Sequence, residues 1–141
     1  MTLPSRKPLS EVKGWYYGLT GNARDCVTRY LELTNKTTKD LQTVPTPCLD
    51  DAQIQPEHFE QTGELKEKSA RIVLKCLWLA RLTRPDIYWT VNYLAKQVTK
   101  WSVACDKRLH RLICYLDSTA KWTLQCFVGD APENTKLALF C

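Results

Sequence analysis

From Asp40 to Glu64 the chain carries six acidic residues and neither a lysine nor an arginine, with Pro45, Pro47 and Pro56 in the same stretch. Directly after it, Lys66 to Arg111 holds eleven Lys and Arg against three acids, a local charge of +8. The first block shows neither a helical nor a strand period, and its prolines remove donors that either element would need. It therefore reads as an acidic loop or linker. Regular structure belongs mainly to the basic block, and any fold must place a proline-bearing acidic connection beside a cationic, helix-forming segment.

The rest of the composition narrows the class. A chain of 141 residues that is 44% hydrophobic and 25% charged supports one globular domain rather than two, and excludes a wholly disordered or collagen-like chain. The first ten residues contain no apolar run of secretory type. The longest apolar approach, Ile72 to Leu82, is broken by Lys75 and Arg81, so no membrane span and no membrane partner are expected. The seven cysteines are odd in number and evenly spread. Reduced thiols are the better reading, with an intracellular location in cytoplasm or nucleus.

Four helices follow from periodicity. The first covers about Ala23 to Thr34, with Val27, Tyr30, Leu31 and Thr34 at 3-4 spacing. The second, about Lys66 to Leu82, is apolar over more than half its circumference, which predicts a central position. In the third, Thr83 is placed to cap, Pro85 to occupy the first turn and Asp86 to complete something close to a capping box. Ile87, Val91, Leu94, Ala95 and Val98 then share one face. The fourth runs from about Val103 to Asp117 on a stripe of Leu109, Leu112, Ile113 and Leu116. Trp122 to Val128 and Thr135 to Phe140 read as two strands joined by a turn-rich loop. The expected class is α+β, mainly α: a three- to four-helix cluster followed by a C-terminal β-hairpin. Residues 1–21 are unassigned, 22–35 a helix, 36–65 the linker and 66–141 the main unit.

Most site chemistries fail on spacing. There is no C-x-x-C, and His110 with Cys114 offers two ligands from one helix while Cys105 lies about half a turn away around it. No metal site is therefore expected, and no cofactor. No nucleophile elbow, phosphate loop or H-E-x-x-H is present, and a Cys–His pair among seven cysteines is easily fortuitous. Asp50-Asp51 lacks the hydrophobic strands that would aim a two-metal carboxylate pair, and reads as part of the acidic loop. No catalytic residue is assigned.

The basic block carries the functional signal. Lys107, Arg108, Arg111 and Tyr115 fall opposite the leucine stripe of the fourth helix, while Trp89, Tyr93, Lys96 and Lys100 form a stripe at 4-3-4 spacing on the third. Cations interleaved with aromatic faces suit phosphate contact plus stacking, and a solvated charged face is the competing reading.

Several segments resemble one family. They are Thr46-Pro47, Ala80-Arg81-Leu82-Thr83-Arg84-Pro85-Asp86-Ile87, Val91-Asn92-Tyr93-Leu94, and Lys107-Arg108-Leu109-His110-Arg111-Leu112-Ile113-Cys114-Tyr115-Leu116. Together they are similar to the C-terminal part of the reverse transcriptase in copia-type retrotransposon Pol polyproteins, where it leads into RNase H. The resemblance covers about Thr43 to Cys141, with Asp117-Ser118-Thr119 departing from the family's Lys-Gly-Thr. The family's catalytic Tyr-x-Asp-Asp has no counterpart here. Leu137-Ala138-Leu139-Phe140-Cys141 looks like the run that precedes the first RNase H aspartate. The ends of the chain thus look like cuts. The resemblance implies a non-catalytic thumb and connection piece that grips the template–primer backbone, with RNA–DNA hybrid or duplex and the remaining Pol domains as partners. Thr83, Arg84, Pro85 and Asp86 would be structural in it. Alternative expectations are a portion of a working polymerase whose carboxylates lie in adjoining sequence, and an inert or protein-interaction helical module.

Overall fold

The computed structural model describes residues 13–128 together with 133 and 136. The fold is α+β and mainly α, with four helices and one two-stranded antiparallel sheet among the described residues. Helix α1 spans Thr20–Thr34, α2 Ser69–Leu82, α3 Tyr88–Lys96 and α4 Val103–Ser118. Helix α1 packs on α2 and α4, α2 also on α3, and α3 on α4. Ile72, Val73, Cys76 and Leu79 of α2 meet Leu109, Leu112, Ile113 and Leu116 of α4 in one core with Tyr30, Ile87, Val91 and Leu94. These are the apolar positions at helical spacing, and their burial is the main stabilising term.

Helix α2 is less central than its composition predicts. Its inner side is buried, but Leu74, Trp78 and Leu82 are about half exposed on the outer side. It also starts one turn later than expected, because the amides of Glu64 and Leu65 are taken by the Asp106 carboxylate and the chain turns before Ser69.

The start of the third helix needs a correction. Thr83 does not cap it: Thr83 ends α2, its N–H donates to Leu79 O, and its buried Oγ1 has no partner. The non-helical position belongs to Arg84, at φ −126° and ψ 65°. Proline clashes with a helical conformation in the residue before it, which moves the boundary to Arg84. Pro85–Ile87 then forms a 3-10 turn and α3 proper begins at Tyr88.

Strand β2, Leu124–Val128, falls within the expected Trp122–Val128. Its described partner is β1, Lys13–Tyr17, in the register Lys13↔Val128, Trp15↔Cys126 and Tyr17↔Leu124. The expected second strand, Thr135–Phe140, lies outside the described residues apart from Lys136, as does the whole Leu137–Cys141 run. The segment left unassigned at the N-terminus thus supplies a strand, where Trp15, Tyr16 and Tyr17 are exposed.

The acidic stretch is not a free linker. It contains three 3-10 turns, Thr38–Asp40, Asp51–Gln53 and Pro56–Phe59, and it buries Ile54 and Leu65. Leu41 and Val44 pack on the core. It returns along α4 as a strap. Gly63 is the tightest point: its N–H donates to Trp101 O, and a Cβ there would sit 2.5 Å from Ser102 O.

Candidate nucleic-acid interface

The strap decides what becomes of the basic helix. Arg108, Arg111 and Lys107 were expected on an open face of α4; the acidic strap lies against all three. Arg108 is 4% exposed, paired with Asp51, and its guanidinium carbon sits 4.4 Å from the Tyr93 ring centroid and 5.6 Å from that of Phe59. Its Nε and Nη1 are buried without hydrogen-bond partners. Arg111 donates through Nε to Thr46 O at 2.9 Å and through Nη2 to Thr46 Oγ1 at 3.2 Å. Lys107 is exposed and its Nζ lies 2.9 Å from His58 Nδ1. Arg108, expected to contact phosphate, is thus buried and paired with Asp51 within the chain.

Tyr115 is also withdrawn from solvent, at 5% exposure. Its hydroxyl donates to Asp86 Oδ2 at 3.0 Å, and its ring meets Trp122 edge-on with centroids 5.9 Å apart. Arg84 closes this cluster. It is 2% exposed, donates to both oxygens of Asp86, and reaches Thr119 O at 2.9 Å and Thr119 Oγ1 at 2.6 Å. Burial would raise the Asp86 carboxyl, but hydrogen bonds and charge from Arg84 outweigh it and hold the group below the usual carboxylate range. The Tyr115 phenol is pushed up by burial and by its bond to that carboxylate. Arg84, Pro85 and Asp86 thus tie the α2–α3 turn to the end of α4.

The third-helix stripe has a different fate. Trp89 is 64% exposed and stacks on Tyr93, with centroids 5.8 Å apart and ring planes 18° from parallel. Lys96 and Lys100 are both exposed, one ending α3 and the other in the 3-10 turn Val98–Lys100. Trp89 stacks on Tyr93, Tyr93 contacts Arg108 and Arg108 contacts Phe59, with Trp89 the most exposed of the four. No helical spacing could reveal the Arg108–Phe59 contact, because Phe59 lies in the aperiodic strap.

His110 and Cys114 meet, as their spacing allows, with Cys114 Sγ 3.5 Å from His110 Nε2. His110 Nδ1 is 2.9 Å from the hydroxyl of Tyr30, which periodicity reads only as an apolar position of α1. Cys105 does not join them. Among the described residues no group of three His, Cys, Asp or Glu side chains is placed to hold a metal ion, and no helix is long and apolar enough to cross a membrane. Asp50 accepts from Ala52 N and caps a 3-10 turn, while Asp51 faces Arg108, so the two carboxylates have separate structural tasks. The described cysteines are free thiols.

No family model matches the sequence, and neither a curated protein nor a solved structure matches it.

Proposed function

We propose that the chain is a non-catalytic helical module, similar to the thumb and connection of copia-type reverse transcriptases, that contacts nucleic acid without sequence preference. The observation that supports this reading is the exposed, pre-stacked Trp89–Tyr93 pair followed along the same stripe by Lys96 and Lys100. An exposed indole held flat offers a base or sugar a stacking surface at little conformational cost, and the lysines beyond it follow a phosphate backbone. Lys107 adds a cation on the neighbouring helix. Arg108 and Tyr115 are buried and Arg111 is half-buried against Thr46, so none of the three is counted in this face.

Fluorescence anisotropy with labelled RNA–DNA hybrid, duplex and single strand tests the reading. Binding is expected at low salt, weakening steeply as salt rises, and falling about tenfold or more in Trp89→Ala, since one base–aromatic stack is worth about 1–3 kcal/mol. Absence of affinity for all three probes at low salt overturns it.

A second reading, a protein-interaction module, is favoured by one observation. Leu74, Trp78 and Leu82 form a half-exposed apolar row on α2 beside Leu77 and Arg81. Rows of this kind commonly mark contact surfaces, and the remaining Pol domains are the partner the resemblance implies. Light scattering of the chain mixed with those domains, repeated with Trp78→Glu, tests it: a complex lost in the variant supports the reading, and no complex refutes it.

A further inference from the structure

A cavity of about 590 Å³ opens between the end of α1, the strap and one side of α4. That volume is in the range that holds small organic ligands. Tyr30, His110 and Cys114 are on its wall. The contacts run in sequence from Cys114 Sγ to His110 Nε2 at 3.5 Å, and from His110 Nδ1 to Tyr30 Oη at 2.9 Å. A thiol, a base and a third group that orients the base is the arrangement by which proteins activate a sulfur nucleophile. Burial, with help from the charge of Lys36 and against a smaller pull from Asp40, keeps His110 below the ordinary imidazole value. The ring is therefore neutral at pH 7. Of the two neutral tautomers that fit these contacts, the one that donates Nδ1–H to the Tyr30 oxygen leaves a lone pair on Nε2 facing the thiol.

The charge around the cavity is biased toward cations. Lys36, Lys68, Lys107 and Arg111 line it against Glu64 and Asp106. Asp106 is already engaged: it accepts from the amides of Glu64 and Leu65 and from Trp101 Nε1. Lys68 donates to Leu33 O and Arg111 to Thr46 O. The four cationic side chains against two carboxylates give the lining a formal excess of two positive charges, which favours an anion in the cavity.

We propose that Cys114 is a reactive thiol and that it takes small, negatively charged electrophiles of the α-halo acid type from this cavity. The Sγ proton passes to His110 Nε2. The sulfur pair forms a bond to the electrophilic carbon as the carbon–halogen bond breaks, the halide leaves with that bond's electrons, and His110 returns its proton to water. Nucleic-acid binding has no part in this inference.

The test compares iodoacetate with iodoacetamide, two alkylating agents that differ in charge, on the intact folded chain, with rates read at each cysteine by peptide mapping. Cys126, half-buried on β2, is the internal reference. The iodoacetate-to-iodoacetamide rate ratio is expected to be about tenfold higher at Cys114 than at Cys126, the size that one or two nearby cations confer. Lys36→Gln, at an exposed position whose Nζ lies 5.9 Å from the Tyr30 ring centroid, should lower that ratio. His110→Gln should slow both reagents at Cys114 and leave Cys126 unchanged. Equal ratios at Cys114 and Cys126, or a Cys114 that labels only after unfolding in urea, overturn the proposal.

Discussion

Arg108 sets the terms at the scale of single residues. A guanidinium is weakly hydrated and flat, so it tolerates burial against the Tyr93 and Phe59 rings better than an ammonium would. Asp51, its counter-ion, is 76% exposed on its own side chain and is partly screened by water. Asp51→Asn should therefore cost about 1–2 kcal/mol, less than a fully buried pair would lose. Urea unfolding is the measurement, with a lowered midpoint and an unchanged slope. Arg108→Met, which keeps a stem against the rings, should be milder than Arg108→Ala and should leave nucleic-acid affinity within about twofold; a large loss of affinity would return Arg108 to the binding face. His110 gives a second expectation. Its folded value lies below the ordinary 6.5, so between those two values the unfolded chain binds more protons. The stability it contributes is complete above about pH 6.5 and is lost as pH falls toward the folded value. Thermal unfolding from pH 7.5 down to 5 should show that loss, and His110→Gln should flatten it. Helical spacing placed His110 next to Cys114, but it gave no sign of Tyr30, which is 80 residues away.

The elements that were legible in the sequence are those whose stability is local and periodic. Helices α1, α2 and α4 were found within about a turn at their starts and within a residue at their ends, since 3-4 apolar spacing both forms them and buries them. The start of α3 was misread because Thr83 has the chemistry of a cap, while the Arg84-Pro85 pair has the stronger backbone constraint. The strap was not legible at all: its fold is set by Asp51 on Arg108, Thr46 on Arg111 and the Glu64 and Leu65 amides on Asp106. Each of these spans 41 residues or more of chain, with no period to announce it. Gly63 is where the strap crosses the start of α4, and an added methyl would meet the Ser102 backbone oxygen as well as the Asp106 and Trp101 side chains. Gly63→Ala should destabilise the chain by about 1–3 kcal/mol, the usual cost of forcing atoms into a filled site. Hydrogen exchange locates the damage: the Glu64 and Leu65 amides should lose protection first, with the core of α2 and α4 protected until global unfolding.

For the molecule as a whole, the separation of charge along the chain carries two meanings that sequence cannot distinguish. A block of +8 beside a stretch of six acids suits a polyanion partner, and it equally suits a chain that folds one block onto the other. The structure takes the second course on α4, where Arg108 and Arg111 are held by the strap, and leaves Lys96, Lys100 and Lys107 exposed. That division makes a quantitative prediction for the proposed nucleic-acid contact. Each phosphate neutralised on a duplex lowers log K by about 0.9 per decade of salt. If all five cations reached phosphates the slope would be about −4.5, whereas the three exposed lysines give about −2.7. Anisotropy titrations on duplex from low to moderate salt should therefore return a slope near −3, reduced to about −1 in the double variant Lys96→Gln, Lys100→Gln. Arg111→Gln should leave the slope unchanged. A wild-type slope near −5 would mean that the strap lifts from α4 when nucleic acid binds, and Asp51→Asn, by loosening the strap, would then raise affinity at low salt instead of leaving it constant.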